Sequence, residues 1–324
     1  MSRRYLVTGG TGFMGSALVK RLLTEGHGVR VLDNGSRGKA GRLREVIQDV
    51  EFVEGDIRDL DIVVRSTKNI DSICHLAYVN GTEFFYSRPE LVLDVAVRGM
   101  SNVLAAGIKS GVGEIILASS SEVYQTPAII PTPEDVPLSV PDLMNPRYSY
   151  GGGKIISELM AINFGRKHFE RVVIFRPHNV YGPDMGSEHV IPQLALRIAG
   201  LLSQGNSPVP LRIQGTGQET RAFVYIDDLV DGLMRVIEQA PHLSIYNIGT
   251  DQEVSIARLA HEIAAVAGIE IELQPGELQP GSTLRRCPDI SKLRALGYTP
   301  RVSLQSGLRP TVEWYLDSTR TAPG

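Results

Sequence analysis

The sequence predicts an α/β fold, a doubly wound parallel sheet with a smaller C-terminal lobe. Three observations predict it. Short β-branched runs alternate with longer amphipathic stretches through the first half, as in strands joined by crossover helices. A glycine string, Thr8-Gly9-Gly10-Thr11-Gly12-Phe13-Met14-Gly15, stands where the first run should end and a helix begin. From about Asn179 the rhythm loosens into shorter elements, too discontinuous for a second full sheet.

Taken in order, strands are expected at Tyr5–Thr8, Val29–Asp33, Glu51–Glu54, Ser72–Leu76, Glu114–Ala118 and Val172–Phe175, six in all. Long helical patterns run over about Pro89–Ser110 and Ser149–His168. Between them, Gln125–Arg147 holds prolines at 127, 131, 133, 137, 141 and 146, so it is an extended loop, either a connector or a wall over the site. Further on come a helix near Pro192–Leu202, strands near Leu211–Ile213 and Phe223–Ile226, and helices at Asp228–Glu238 and Ile256–Val266. The expected division is residues 1–178 as a Rossmann-type nucleotide-binding domain. Residues 179–324 form mainly a substrate-binding lobe, with about 222–250 returning to the first domain.

Composition narrows the function. The 324 residues are 42% hydrophobic and 21% charged, as in a globular protein rather than a disordered one. Lys and Arg number 33 against 36 Asp and Glu, a formal charge of -3, which leaves no cationic surplus for nucleic acid. Two cysteines, Cys74 and Cys287, provide neither a disulfide framework nor metal-ligand spacing. With no signal-peptide pattern and no uninterrupted apolar run near 18 residues, a cytoplasmic protein that does not span a membrane is expected.

The glycine string fits a dinucleotide turn. Gly9, Gly12 and Gly15 let the backbone turn tightly and approach a pyrophosphate, while Phe13 and Met14 open a helix whose N–H groups stabilise the anion. A tight turn with no ligand would read the same way alone. Asp33, eighteen residues after Gly15, can accept both ribose hydroxyls and repel a 2′-phosphate, so NAD is favoured over NADP, although Arg37 nearby could hold such a phosphate. Gly55-Asp56-Ile57 follows the third strand and either meets the adenine or is a simple Asp turn.

Tyr150 and Lys154 lie four apart on a predicted helix and share a face. A neighbouring ammonium favours phenolate, which suits a base for an alcohol proton. Gly151, Gly152 and Gly153 cost helix stability, about 1 kcal/mol each, so something must approach the backbone there. Ser119-Ser120-Ser121-Glu122 ends the fifth strand at the carboxyl edge, where open α/β sheets bind ligands, and Ser120 can hydrogen-bond the hydroxyl that Tyr150 deprotonates.

At these residues the chain resembles the extended short-chain dehydrogenase/reductase family, in its nucleotide-sugar epimerase/dehydratase branch. The resemblance covers nearly the whole length. It rests on TGGTGFMG, Asp33, Gly55-Asp56-Ile57, His75-Leu76-Ala77, SSSEVY at 119–124, Tyr150 with Lys154, RPHNVYGP at 176–183, TRAFVYIDDL at 220–229 and RRCPDISK at 285–292. It implies a catalytic Ser120, Tyr150 and Lys154 at the nicotinamide and the sugar C4, with Asn34, Asp56, Ile57, Leu76 and Ala77 against the cofactor. It also implies a substrate site of Ser121, Arg147, His178 and Asn179, with Arg221 and Arg286 on the diphosphate.

A UDP-sugar is the expected substrate, and a homodimer through the two long helices is expected, using Leu91, Val95, Met100 and Val103 on one and Ile155, Leu159 and Ile162 on the other. One departure stands out: where the family commonly has an asparagine in an NVxGT-like string, this chain has Ala96.

Glu122 suggests a second acid/base beside the triad, and His189 lies where dehydratases often carry a lysine. Together they could invert a centre next to a 4-ketone. Ser120-Ser121-Glu122, Pro146-Arg147, Thr220-Arg221-Ala222-Phe223 and Arg286-Cys287-Pro288 resemble UDP-glucuronate decarboxylases instead, but Asp184 replaces the basic residue those enzymes carry after their Gly-Pro. The balance tips to an NDP-sugar epimerase, with decarboxylase or 4,6-dehydratase close behind and a non-catalytic NAD-binding regulator as a remote alternative.

Overall fold

A computed structural model of the chain describes residues 2–201, 208–278 and 281–321. Strands β1 (Arg4–Thr8), β2 (Gly28–Asp33), β3 (Val50–Glu54), β4 (Ser72–His75), β5 (Glu114–Ala118) and β6 (Arg171–Pro177) join Ser244–Ile248 in one seven-stranded sheet, all pairs parallel. The order is Ser244–Ile248, β6, β5, β4, β1, β2, β3. Alternate residues bury on opposite faces. Tyr5, Val7, Val31, Ile116 and Phe175 enter one core, and Leu6, Leu32, Ile73, Ile115, Leu117 and Ile174 the other. This explains why the strands read as nearly continuous apolar runs.

The chain runs from β1 outward to β2 and β3, then returns to β4 on the other side of β1. A crevice therefore opens at the carboxyl ends of β1 and β4, where Thr8 stands beside His75.

The sheet has seven strands rather than six. Ser244–Ile248 pairs with β6 from Ser244 opposite Val173 to Ile248 opposite Pro177. Its apolar run is broken by Asn247, which is buried because its side chain ties Tyr124, Thr132, His178 and Asp289 together. The preceding helix, Ile226–Gln239, packs on the helix Phe13–Thr24.

The two long helices, Pro89–Ser110 with a π-helical stretch at Val95–Gly99 and Tyr148–His168, lie against each other. The first is long and apolar enough to cross a membrane, but half of its apolar window is buried within the fold. Val95, Met100 and Val103, expected on a subunit face, fill the monomer core instead. The outward faces carry Leu93, Val97 and Ile108 on one helix and Ile156, Leu159 and Phe164 on the other. A third core, containing Tyr181, Ile191, Leu194, Phe223, Leu259 and Leu308, holds the C-terminal lobe over the crevice.

Candidate active site

Three glycines build one end of the crevice, each for a different reason. Gly9 has φ +73°, and a Cβ there would lie 2.7 Å from the Ala77 backbone nitrogen. Gly12 caps the helix Phe13–Thr24 without any side-chain bond, which leaves the first-turn N–H groups of Phe13 and Met14 for a ligand. A Cβ on Gly15 would overlap Gly9 O, so the helix can approach the strand only without one. This cradle fits a pyrophosphate on backbone donors.

Asp33, buried at the end of β2, accepts the amides of Thr11 and Gly35 at 2.9 Å each. The adjoining cavity is lined by Asp33, Asn34, Gly55, Asp56, Ile57, Leu76 and Ala77. Asp56 bonds Arg58 and Asn34, and chiefly the Arg58 guanidinium holds its carboxyl down at about 2. Arg37, the residue that could have received a 2′-phosphate, instead forks onto Glu188 at 2.5 and 3.0 Å above the Phe84 ring. That arrangement fits NAD.

A cleft of about 570 Å³ joins the glycine turn to Ser120, Ser121, Glu122, Tyr150 and Lys154, and beyond them to Arg147, Asn179, His189, Arg221 and Arg286. Tyr150 and Lys154 sit one turn apart on the buried face of Tyr148–His168, and Glu158 follows one turn later. Ser120 lines the cleft beside Tyr150, and its side chain favours the ionised phenol. Lys154 Nζ donates to Ala118 O at 2.7 Å.

In the chain alone the phenol is pushed up rather than down. Burial dominates, the nearby Glu122 charge adds to it, and only the Ser120 side chain opposes. Burial likewise brings the Lys154 ammonium down to about 7. The sequence-based expectation of a phenol acidified by its lysine is therefore opposed by burial, because both groups lose water together.

The glycine spacer is also accounted for. A Cβ on Gly153 would overlap the Tyr78 hydroxyl and lie 2.8 Å from Ala96 Cβ, and one on Gly151 would overlap the Gln125 amide. Gly152 meets only Val140, at 3.4 Å.

At the other end, Glu122 and Arg286 form an ion pair at 2.5 Å. Burial alone would raise the Glu122 carboxyl, but Arg286, with Arg147 and Arg221 behind it, holds it below the ordinary carboxylate range. Arg286 is itself buried, braced by Thr283 at 3.2 Å, and its Nε has no partner. Arg221 donates to the carbonyls of Thr220, Thr283 and Leu284, and burial beside Arg286 brings it down to about 10. An orphaned guanidinium N–H beside a second crowded guanidinium suits an anion such as a diphosphate. Asn179, at φ +40°, donates to Ala222 O at 3.1 Å. His189 stands on the exposed rim.

His178 is not brought to the cleft. It is fully buried, bonded to Asn247 at 3.0 Å and driven down to about 3 chiefly by desolvation, so it is a packed, neutral ring rather than a substrate contact. Sequence reasoning also missed Tyr78, which lines the cleft between the two ends. Its signal was a bulky aromatic directly after His75-Leu76-Ala77, opposite two positions, Ala96 and Gly153, that are unusually small.

A model of the NAD dependent epimerase/dehydratase family matches residues 5–249. A UDP-glucose 4-epimerase of Mycolicibacterium smegmatis is 34% identical over 319 residues, 96% of this chain and 98% of its own length. UDP-glucuronic acid decarboxylase 5 of Arabidopsis thaliana is 32% identical over 307 residues, 94% of this chain and 87% of that protein. Among solved structures, DesIV from Streptomyces venezuelae, a dTDP-glucose 4,6-dehydratase with NAD and TYD bound, matches with a TM-score of 0.85 at 29% identity, covering 98% of each chain.

Proposed function

The chain belongs to the NAD-dependent epimerase/dehydratase family and is an enzyme of nucleotide-sugar chemistry that uses NAD; from that premise we propose that it inverts C4 of a UDP-sugar through a transient 4-keto intermediate, rather than a centre beside the ketone. The ionised state of Glu122 carries this reading. A dehydratase needs both a base for the ring proton and a protonated group to expel the hydroxyl; Glu122, held as its anion by Arg286, Arg147 and Arg221, can be only the base, and the other carboxylate among the described residues lining the cleft, Glu188, is paired with Arg37. A 4-epimerase asks less of that position, because the keto sugar only turns over between removal and return of hydride.

Ser120 and Tyr150 hydrogen-bond the sugar hydroxyl, and Tyr150 takes its proton. Lys154 keeps the phenol in place and adds positive charge as Tyr150 ionises. Arg221 and the free Nε of Arg286 hold the diphosphate, while Phe13, Met14 and Asp33 hold the dinucleotide. When bound, NAD would supply the hydride acceptor and a positive charge that favours phenolate. Asp184, which stands where a decarboxylase carries a basic residue, is drawn off to Lys39 at 3.1 Å and Arg42 at 2.8 Å.

Arg147 favours a second reading. It lines the cleft together with Arg221 and Arg286, and a uronate carboxylate would suit it, which makes UDP-glucuronate decarboxylation the alternative. Incubation with UDP-, GDP-, CDP- and dTDP-sugars in deuterated water separates the two. Inversion at C4 without solvent label is the expected result. Release of CO₂, or deuterium at C3 or C5, would overturn it.

We also propose a homodimer through the outward faces of Pro89–Ser110 and Tyr148–His168, where Leu93, Val97, Leu159 and Phe164 lie exposed. A monomer by light scattering would exclude it.

A further inference from the structure

We propose that Tyr78 is a positioning residue for the catalytic lysine, its ring face forming the second wall of the Lys154 ammonium site. Lys154 Nζ lies 3.8 Å from the centroid of the Tyr78 ring, close enough for a cation–π contact, with its hydrogen bond to Ala118 O as the other support. Among the described residues no carboxylate pairs with it. Glu158, one turn along the same helix, is committed to Arg176 on β6 at 2.7 Å and to the Ser119 hydroxyl.

The remaining groups facing Lys154 give it no hydrogen bond or ion pair. His75, at the end of β4, is neutral and bonded to Thr8. The Tyr150 ring lies at 5.9 Å from the ammonium and meets Tyr78 edge-on at 5.1 Å.

The seat for Tyr78 is cut from its neighbours. Its hydroxyl occupies the space a Gly153 Cβ would need, within 3.5 Å of Tyr150 O, and Ala96 borders the same notch. Small residues at 96 and 153 thus admit a large one at 78. This explains why Ala96 is tolerated: the aromatic ring occupies space there and supports the ammonium instead. A buried ammonium with one hydrogen bond tends to lose its proton, and a π face opposes that loss without adding a counter-charge that would discourage phenolate.

The test replaces Tyr78 in the full-length protein with phenylalanine and then with mono-, di- and trifluorophenylalanine, which weaken the ring quadrupole at nearly constant shape. Phenylalanine keeps the ring and loses the hydroxyl contact with Tyr150 O, so it is the reference against which the fluorinated series is read. Along the fluorinated series, the alkaline limb of the pH profile for NAD reduction should move stepwise to lower pH, by about half to one unit in total, as Lys154 gives up its proton sooner. Melting temperature at pH 6 should fall in the same order, and the trend should vanish in a Lys154→Met background. The thermal arm needs no substrate, so it stands apart from the epimerase reading. A flat series, or an unchanged trend in Lys154→Met, would overturn the proposal.

Discussion

The two ends of the cleft are built by opposite means. The dinucleotide end is made by omission: Gly9, Gly12 and Gly15 lack side chains where the backbone must bend, bind or touch. The sugar end is made by crowding, with Glu122, Arg147, Arg221 and Arg286 converging from separate segments and holding one another's charge in place. Damage to the first should therefore be steric and reach the fold, whereas damage to the second should be electrostatic and reach the substrate.

Tyr150→Phe, between the two ends, should have the largest effect. Removing the proton acceptor should lower kcat by about 10³-fold, within the range for a lost general base, with bound NAD and melting temperature nearly unchanged. Absorbance at 340 nm after adding the sugar nucleotide checks this, and loss of NAD with the phenol would erase the distinction between the ends.

Gly15→Ala should come next. Forcing a methyl into Gly9 O costs about 1–3 kcal/mol or more by overpacking, so both melting temperature and NAD retention should fall. A stable, NAD-replete variant would break the steric half of the comparison.

Arg286→Ala should raise KM about tenfold or more while NAD stays bound, in line with about 2 kcal/mol or more for one partner of a desolvated pair. The sign of its pH effect follows from the ion pair. Without Arg286, burial dominates, Glu122 takes up a proton at higher pH, and the acid limb of the profile moves up. Stability gained from that pair is present above the ordinary carboxylate range and lost as pH falls through the folded value, so the variant should differ least from the native protein in acid.

Glu188→Gln should have the smallest effect. It frees Arg37 from a half-exposed pair worth no more than about 1 kcal/mol. NADP should then bind a few-fold better, with NAD unaffected by titration.

The same contrast explains what could be read from the sequence. A device made by omission leaves its mark in consecutive letters, so the turn at Gly9–Gly15, the strand end at Asp33 and the paired Tyr150 and Lys154 were legible in one dimension. The sugar end is scattered over 122, 147, 221 and 286, and only likeness to relatives gathered those residues beforehand. His178 misled because its neighbour Asn179 does line the cleft, while its own ring turns inward to Asn247. Tyr78 was passed over because the signal beside His75-Leu76-Ala77 gains meaning only with two absences elsewhere, at Ala96 and Gly153. The phenol's titration was misjudged because spacing along a helix reports which groups are close, not how little water reaches them.

The late strand Ser244–Ile248 bears on how this molecule can be divided. Because it borders β6 after the chain has already visited the other lobe, cutting after His178 would not release a finished cofactor domain. It would uncover the open edge of a long apolar strand, an invitation to pair with a neighbour and precipitate. The two lobes are thus threaded through each other, and any exchange of sugar specificity by grafting must replace both the segment between β6 and the late strand and the segment that follows that strand.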